Sequence, residues 1–204
     1  METKNGIKTF YAKNRKAWRN WLEKDHVKES SVWLIIYRKK TAHPSVYYDE
    51  AVEEALCFGW IDSKPNKRDG ESYYQFFSKR NSKSNWSKIN KEKVAGLLEK
   101  GLIAAAGLAA IDIAKKNGTW EALNDVDNMV IPADLNAALN KNKTALKYWH
   151  NFSNSSKKGI LQWILNAKKP ETRQRRIEDT VALAFKNIKA NHLTNSPIYN
   201  RSCK

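Results

Sequence analysis

The sequence predicts an α+β protein: a small antiparallel sheet with flanking helices, followed by a C-terminal helical bundle. Residues 31–37 (Ser-Val-Trp-Leu-Ile-Ile-Tyr) are rich in β-branched and aromatic residues and predict a buried strand. Two further strand-like runs, 60–63 and 73–77, flank a polar segment that contains the turn-forming pair Asp69-Gly70. After residue 87 the apolar residues recur at helical spacing, which predicts helices to the end of the ordered chain.

Helical periodicity and end signals predict the remaining elements. Asn14 is placed to cap a helix over residues 15–24, and Gly59 ends a helix that starts near Tyr48. The clearest helix begins at Pro170, a favourable residue for a first turn. The other predicted helices follow Ser87, cover 102–116, and begin near residues 132, 144 and 155.

One connector without periodicity, residues 124–132, is the candidate domain boundary. It predicts an α+β domain over residues 1–128 and a helical domain over 129–190. Residues 191–204 carry Asn, Ser and Pro and are predicted to be a tail.

Positive charge is the unusual property of this 204-residue chain. Lys and Arg number 37 against 21 for Asp and Glu, which gives a net charge of +16. Residues 64–100 carry a net +6 and residues 157–204 a net +8, with a neutral segment between them. Such an excess attracts anions, so nucleic acid or a phosphorylated ligand is the expected partner. The alternative is that the lysines serve solubility alone.

Several classes of site are not predicted. The four histidines and two cysteines are scattered, so neither a metal site nor a disulfide framework is expected. The glycines are isolated, no cofactor fingerprint is present, and no catalytic constellation is found. A signal peptide is not evident, and the longest apolar run, within residues 101–113, is too short to span a bilayer. These features predict a cytoplasmic protein without a transmembrane segment.

Two basic segments are predicted to bind an anion. Over residues 73–89 aromatic residues alternate with cations, as in grooves for single-stranded nucleic acid, although aromatics on a strand are more often part of a core. Near residue 170 two arginines lie three positions apart on one helical face; alternatively, Arg175 pairs with Glu171 and Asp179 and the others are solvated. The predicted anion-binding residues are Lys79, Arg80, Lys83, Ser84, Trp86, Lys88, Lys168, Arg173 and Arg176.

A pocket is the other candidate site. Trp60, Asp62 and Lys64 follow one another on a predicted strand, and with Arg80 they can line a pocket for a small anion. Asp62 can act as a base there. The alternative, a strand-end aspartate that bonds backbone or a lysine, is the commoner role for such a residue.

Three motifs resemble one known family. They are residues 58–62 (Phe-Gly-Trp-Ile-Asp), residues 77–90, and residues 167–177 with the run Lys-Lys-Pro-Glu-Thr-Arg. Together they resemble the YdeI/OmpD-associated, OmdA-like proteins, also described as bacteriocin-protection proteins, over residues 10–187. The resemblance implies a bacterial accessory protein linked by name to envelope stress. It implies no reaction, cofactor or catalytic residue.

These observations lead to two functional hypotheses. The first is a non-catalytic basic protein in which the two basic segments converge to hold a phosphate-bearing partner, with nucleic acid as the first candidate. The alternative is an enzyme or sensor for a small anionic metabolite, with a pocket near Trp60, Asp62 and Arg80. The sequence does not decide whether the two basic segments meet.

Overall fold

The computed structural model describes residues 2–191 and divides the chain into two compact units. The first unit is Met1–Ala122, and the second begins at Leu123. This boundary precedes the predicted one at residue 128 because Leu123 and Val126 are buried in the core of the second unit. The predicted tail, 191–204, lies outside the described residues apart from Asn191.

The first unit combines a five-stranded sheet with four helices. The predicted α+β class is confirmed, and the strand order is β1-β2-β3-β5-β4. One strand pair, β2 with β3, is parallel, so the sheet is mixed. The elements are β1 (Thr3–Lys4), β2 (Ile7–Tyr11), α1 (Arg15–Asp25), β3 (Ser31–Tyr37), α2 (Tyr48–Cys57), β4 (Trp60–Lys67), β5 (Ser72–Lys79), α3 (Lys88–Glu99) and α4 (Ala105–Lys116).

The strand β2 was not predicted from the sequence. It is five residues long and is followed closely by α1, so its alternation is too brief to stand out. Parallel strands require a crossover connection, and α1 supplies it between β2 and β3.

The strand β4 is longer than predicted and forms one edge of the sheet. It includes Pro65, which lies in the polar segment predicted between the two strand-like runs. Proline lacks an N–H donor, and an edge strand tolerates this because one side of it has no partner strand. The pairing register of β4 shifts between Asp62 and Pro65, which marks a bulge. In the shortened turn, Asp69 accepts hydrogen bonds from the backbone N–H groups of Glu71 and Ser72 at 2.8 and 2.7 Å.

The helices α1 and α2 are joined by a buried carboxylate. Glu54 on α2 is only 3% exposed and accepts hydrogen bonds from Arg15 Nε at 2.5 Å and Arg19 Nη1 at 2.7 Å. Because both arginines lie on α1, this pair of contacts fixes one helix to the other. The surrounding core includes Trp18, Leu22, Leu34, Ile36 and Phe77.

The helix α4 approaches the turn at residues 57–59, here called the 57–59 turn, at backbone distance. The N–H of Ala104 donates to the Cys57 carbonyl at 2.9 Å. A Cβ at Gly107 would lie 2.3 Å from the same carbonyl oxygen, and a Cβ at Gly59 would lie 2.9 Å from the Ala106 oxygen. Gly59 also has a φ of +70°, a conformation that favours glycine. Glycine is therefore required on both sides of this contact.

The second unit is helical over its described residues. Its helices are α5 (Asn124–Asp127), α6 (Ala133–Asn140), α7 (Lys143–Asn151), α8 (Asn154–Leu165) and α9 (Pro170–Phe185). Its core contains Leu135, Trp149, Ile160, Ile164 and Ile177. The predicted start of α9 at Pro170 is confirmed. Phe185, the last residue of α9, and Ile188, just beyond it, are about half exposed. Within residues 2–191, every helix falls short of the length and apolar character that crossing a bilayer would require.

The contact at Gly107 gives a stability prediction. Gly107→Ala forces a methyl group against the Cys57 carbonyl, and overpacking of this kind costs about 1–3 kcal/mol. We expect the free energy of unfolding, measured by urea denaturation, to fall by that amount. The matched control is Gly96→Ala in α3, where no atom lies within 4 Å of the added Cβ. It should leave the protein as stable or raise its stability by up to about 1 kcal/mol. Equal stability of the two variants would contradict the close packing.

Candidate functional site

A cavity of about 350 Å³ lies in the first unit. Its walls come from three places: the 57–59 turn with the start of β4, the loop after β5, and one face of α4. The end of α1 and the residues after it complete the lining. The lining residues are His26, Val27, Phe58, Gly59, Trp60, Lys79, Arg80, Asn81, Ser82, Trp86, Ala106, Ala109, Ala110, Ile113 and Ala114.

The α4 wall is made of small apolar side chains. Residues 106, 109, 110, 113 and 114 recur at the spacing of one helical face, and all but Ile113 are alanine. The alanine methyl groups leave space that larger residues would fill. The sequence identified this stretch only as an Ala-rich helix, so its role as a cavity wall was missed.

Arg80 is held at the end of β5 by its own backbone. Its N–H donates to the Gly59 carbonyl at 2.9 Å, which ties it to the 57–59 turn. Its guanidinium lies 3.8 Å from the centroid of the Trp86 ring, and Nη2 donates to the Asn85 carbonyl at 2.5 Å. The other two nitrogens, Nε and Nη1, are buried and make no hydrogen bond within residues 2–191.

The charge of Arg80 is not balanced by a contacting acid. Burial lowers the pKa of its guanidinium to about 10, and the Asp62 carboxylate opposes this shift. No ion pair involves Arg80 in the part of the chain that the structure describes, and Asp62 accepts a hydrogen bond from the Tyr48 hydroxyl at 2.6 Å. A buried cation without a partner is costly, so this position favours an anion supplied from outside the chain.

Trp60, another residue of the lining, also has an unsatisfied donor. The residue is 1% exposed, and its Nε1 is buried without a hydrogen-bond partner among the described residues. Buried indole N–H groups usually find an acceptor. The cavity is therefore lined by two side chains with unsatisfied donors, Trp60 and Arg80.

His26 is a lining residue that the sequence did not single out. Its Nδ1 lies 2.7 Å from the Leu22 carbonyl oxygen, which can only accept, so Nδ1 carries a proton. In the neutral ring, Nε2 is then left as an acceptor. The ring packs beside Phe58, with 5.1 Å between the centroids. No motif marks this role, because the histidine reaches the cavity only through the packing of α1.

The basic loop after β5 is fixed to the end of α4. Asn117 Nδ2 donates to the Ser82 carbonyl at 2.7 Å, and the Trp86 N–H donates to the Thr119 carbonyl at 3.2 Å. The Trp86 and Trp120 rings also pack together, with centroids 4.9 Å apart. The cavity is thus closed on this side by an anchored segment.

The predicted residues of the basic loop have different environments. Lys79, Arg80 and Trp86 line the cavity, and Lys79 Nζ donates to the Val27 carbonyl at 2.7 Å. Lys83 and Lys88 are exposed and do not line it, and Ser84 is half-buried. Trp86 is 1% exposed, as is typical of a core residue rather than a platform for bases.

The three residues predicted to form a pocket also differ in whether they line the cavity. Trp60 lines the cavity, whereas Asp62 and Lys64 do not. Asp62 is bonded to Tyr48, and Lys64 is exposed on β4. Burial and this hydrogen bond raise the pKa of the Tyr48 hydroxyl above its ordinary value.

The predicted residues of the second unit are largely engaged by the protein itself. Arg173 donates to both carboxylate oxygens of Asp134, from Nε at 2.7 Å and Nη2 at 3.0 Å. Arg176 donates from Nη1 to the Trp163 carbonyl and lies 5.0 Å from the centroid of that ring. Lys168 is exposed.

The alternative pairing of Arg175 is not formed, since among the described residues it makes no ion pair with Glu171 or Asp179. The two basic sets belong to different units, and their convergence on one face stays a prediction.

Metal binding has no support in the described residues. Within 2–191 no group of three or more His, Cys, Asp or Glu side chains is arranged to hold a metal ion. Cys57 is buried, and burial raises the pKa of its thiol.

Two family models match the chain. Residues 128–187 match the family described as Bacteriocin-protection, YdeI or OmpD-Associated, which confirms the predicted resemblance for that segment. Residues 10–110, which hold the first two motifs and most of the cavity lining, match a different model, Domain of unknown function (DUF8412). No curated protein and no solved structure matches the chain.

The unpaired donors of Arg80 give a second prediction. Arg80→Met keeps a straight side chain beside Trp86 and removes the unpaired donors. Leaving buried donors unsatisfied costs about 1–3 kcal/mol. Their removal therefore offsets the lost bond to Asn85 and the lost cation–π contact, which is worth up to about 2 kcal/mol. We expect the free energy of unfolding to change by less than about 1 kcal/mol, measured by denaturant unfolding.

The contrasting variant is Arg19→Met. It leaves Glu54 buried with one cation fewer, and breaking a buried pair of this kind costs about 3–5 kcal/mol. A similar loss for Arg80→Met would show that Arg80 is a structural anchor.

The pair formed by Asp134 and Arg173 gives a third prediction. The hydrogen bond from Arg173 lowers the pKa of Asp134 from its ordinary 3.8. A lowered folded pKa stabilises the protein above pH 3.8, and this stabilisation is lost as the pH falls further. Both side chains are partly exposed, so a double-mutant cycle with alanine should give a coupling of at most about 1 kcal/mol at pH 7. Zero coupling at pH 7 would leave Arg173 available to an external anion.

Proposed function

We propose that the first unit binds a small organic anion, whose acidic group is held by Arg80 and whose remaining part fills the cavity. One observation supports this proposal above all. Two side chains with buried, unpartnered donors, Arg80 and Trp60, line one cavity whose other walls are mostly apolar. Convergent polar groups in an apolar pocket are typical of small-molecule sites.

The energetics of Arg80 favour a ligand over a purely structural role. Its guanidinium is withdrawn from water, yet no acid of the described chain contacts it. A carboxylate or phosphate in the cavity would place a negative charge beside this guanidinium. A bound anion would therefore supply the ionic interaction that this guanidinium lacks in the folded protein.

The lining is suited to binding rather than to a reaction. No carboxylate and no thiol is among the residues that line the cavity, and Asp62 lies outside it. We propose that the protein is a receptor or sensor whose state depends on this ligand, in keeping with the small-metabolite alternative.

Binding of nucleic acid is the second candidate. It is favoured by two exposed lysines: Lys83, in the loop 80–87, which has no acidic residue, and Lys88, the first residue of α3, which lies 3.9 Å from Glu92. Retention on DNA should then fall steeply with salt, and the double change Lys83→Met with Lys88→Met should flatten that dependence. Affinity that is indifferent to salt would contradict this candidate.

The family description bears on the role of the second unit. The family that matches residues 128–187 is described by bacteriocin protection. A bacteriocin that is a cationic peptide would be repelled by a chain with a net charge of +16. We therefore propose that this protein contributes to protection without binding the bacteriocin itself. The cytoplasmic location inferred from the sequence stays a prediction.

A thermal-shift screen tests the proposed function. Organic acids, sugar phosphates and nucleotides are added to the full chain, and a ligand of the folded state raises the melting temperature. We expect at least one anion class to stabilise the wild-type protein and to have no effect on Arg80→Met.

The matched control is Lys83→Met. It removes one positive charge from the same loop, but its side chain does not line the cavity. It should respond to the ligand as the wild type does. If both variants lose the response equally, the anion is attracted by the general charge of the surface and the cavity is not the site.

A further inference from the structure

We infer that the ligand of this cavity is a small monocarboxylate with an apolar body, and that the alanine face of α4 sets the size it accepts. This inference rests on the proposed function and narrows it to one chemical class. It follows from three properties of the cavity: the number of free charges, the character of the walls, and the closeness of α4.

The cavity offers one positive charge that is withdrawn from water. Arg80 is half-buried without a contacting acid among the described residues, whereas Lys79, the other lysine or arginine of the lining, is exposed, so that water screens its charge. Asp62 lies close enough to act on the charge of Arg80, and it would oppose a second negative charge at the same place. A single negative charge is therefore matched, and a polyphosphate is not.

The available donors suit a carboxylate. Such a group has two oxygens that accept several hydrogen bonds in its plane. The guanidinium of Arg80 is also planar, and a carboxylate pairs with such a group through its oxygens. One common type of site for the phosphates of nucleotides instead uses successive glycine N–H groups at the start of a helix, and the lining has no such loop.

The walls and the mouth are apolar. Phe58, Trp60 and Trp86 are aromatic, and α4 contributes four alanines. Val27 and Ile113 also line the cavity although they are 70% and 47% exposed, so large apolar side chains meet solvent there. An apolar body, aliphatic or aromatic, would cover them. A sugar or a ribose would leave without partners those hydroxyl groups that face the alanines of α4.

The small residues of α4 make the space. Gly59 and Gly107 bring α4 to backbone contact with the 57–59 turn, so a side chain longer than alanine at position 106, 109 or 110 would take up space in the cavity. Ala109 is the suitable position for a test because it lines the cavity and is itself exposed, so that its replacement does not disturb the core.

Isothermal titration of the full chain with defined acids tests the inference. We expect hexanoate, octanoate or benzoate to bind, and acetate to bind at least about tenfold more weakly because it lacks the apolar body. Hexanol, which lacks the charge, should also bind at least about tenfold more weakly. Arg80→Met should lose the preference for hexanoate over hexanol.

The second variant is Ala109→Leu, with Ala105→Leu as its control. Both changes are made on exposed alanines of α4, but residue 105 does not line the cavity. Ala109→Leu should weaken the binding of benzoate or octanoate by about tenfold or more, since it fills the space. Ala105→Leu should bind these acids as the wild type does.

The outcomes separate the inference from the proposed function. If inorganic phosphate, a sugar phosphate or ATP binds in an Arg80-dependent manner and no monocarboxylate does, the inference is wrong and the proposed function stands. If no anion binds in an Arg80-dependent manner, both are wrong. If acids bind but Ala109→Leu has no more effect than Ala105→Leu, the proposed limit on size is wrong.

Discussion

The approach of α4 to the 57–59 turn is the contact on which the first unit depends. Two glycines permit it: Gly107 faces the Cys57 carbonyl, and Gly59 faces the backbone of Ala106. The same turn fixes Arg80, whose N–H donates to the Gly59 carbonyl. One short segment therefore positions both the apolar wall of the cavity and its cation. A change in this turn would move the wall and the charge together.

Two arginines of the first unit are withdrawn from water in different ways. Arg19 is partly buried, and its guanidinium contacts the buried carboxylate of Glu54, so its charge is balanced within the fold. Arg80 is also withdrawn from water, but it has a ring and a carbonyl as neighbours and no contacting acid. The first arrangement stabilises the packing of two helices. In the second arrangement, by our proposal, the guanidinium of Arg80 is available to a bound anion.

The sequence predicted local features well and tertiary ones poorly. The long periodicity of α9 and the β-branched run of β3 were sufficient to identify them. The five residues of β2 were not, because so short a run shows too little alternation to stand out. Arg80 was predicted from the charge of its loop, yet the carbonyl that accepts from its N–H, that of Gly59, lies 21 residues earlier in the chain. The partner of Arg173 is 39 residues away, a separation that no local pattern reveals.

The two sheet edges of the first unit limit how the protein can associate. β4 carries a proline, a bulge and exposed lysines, and β1 has only two residues. Neither edge presents a long row of free backbone N–H and C=O groups with which an incoming strand can pair. Recruitment of another chain by β-augmentation, and fibril growth from the native state by the same route, are therefore disfavoured. A protein that recognises this unit has to bind helix faces and loops instead.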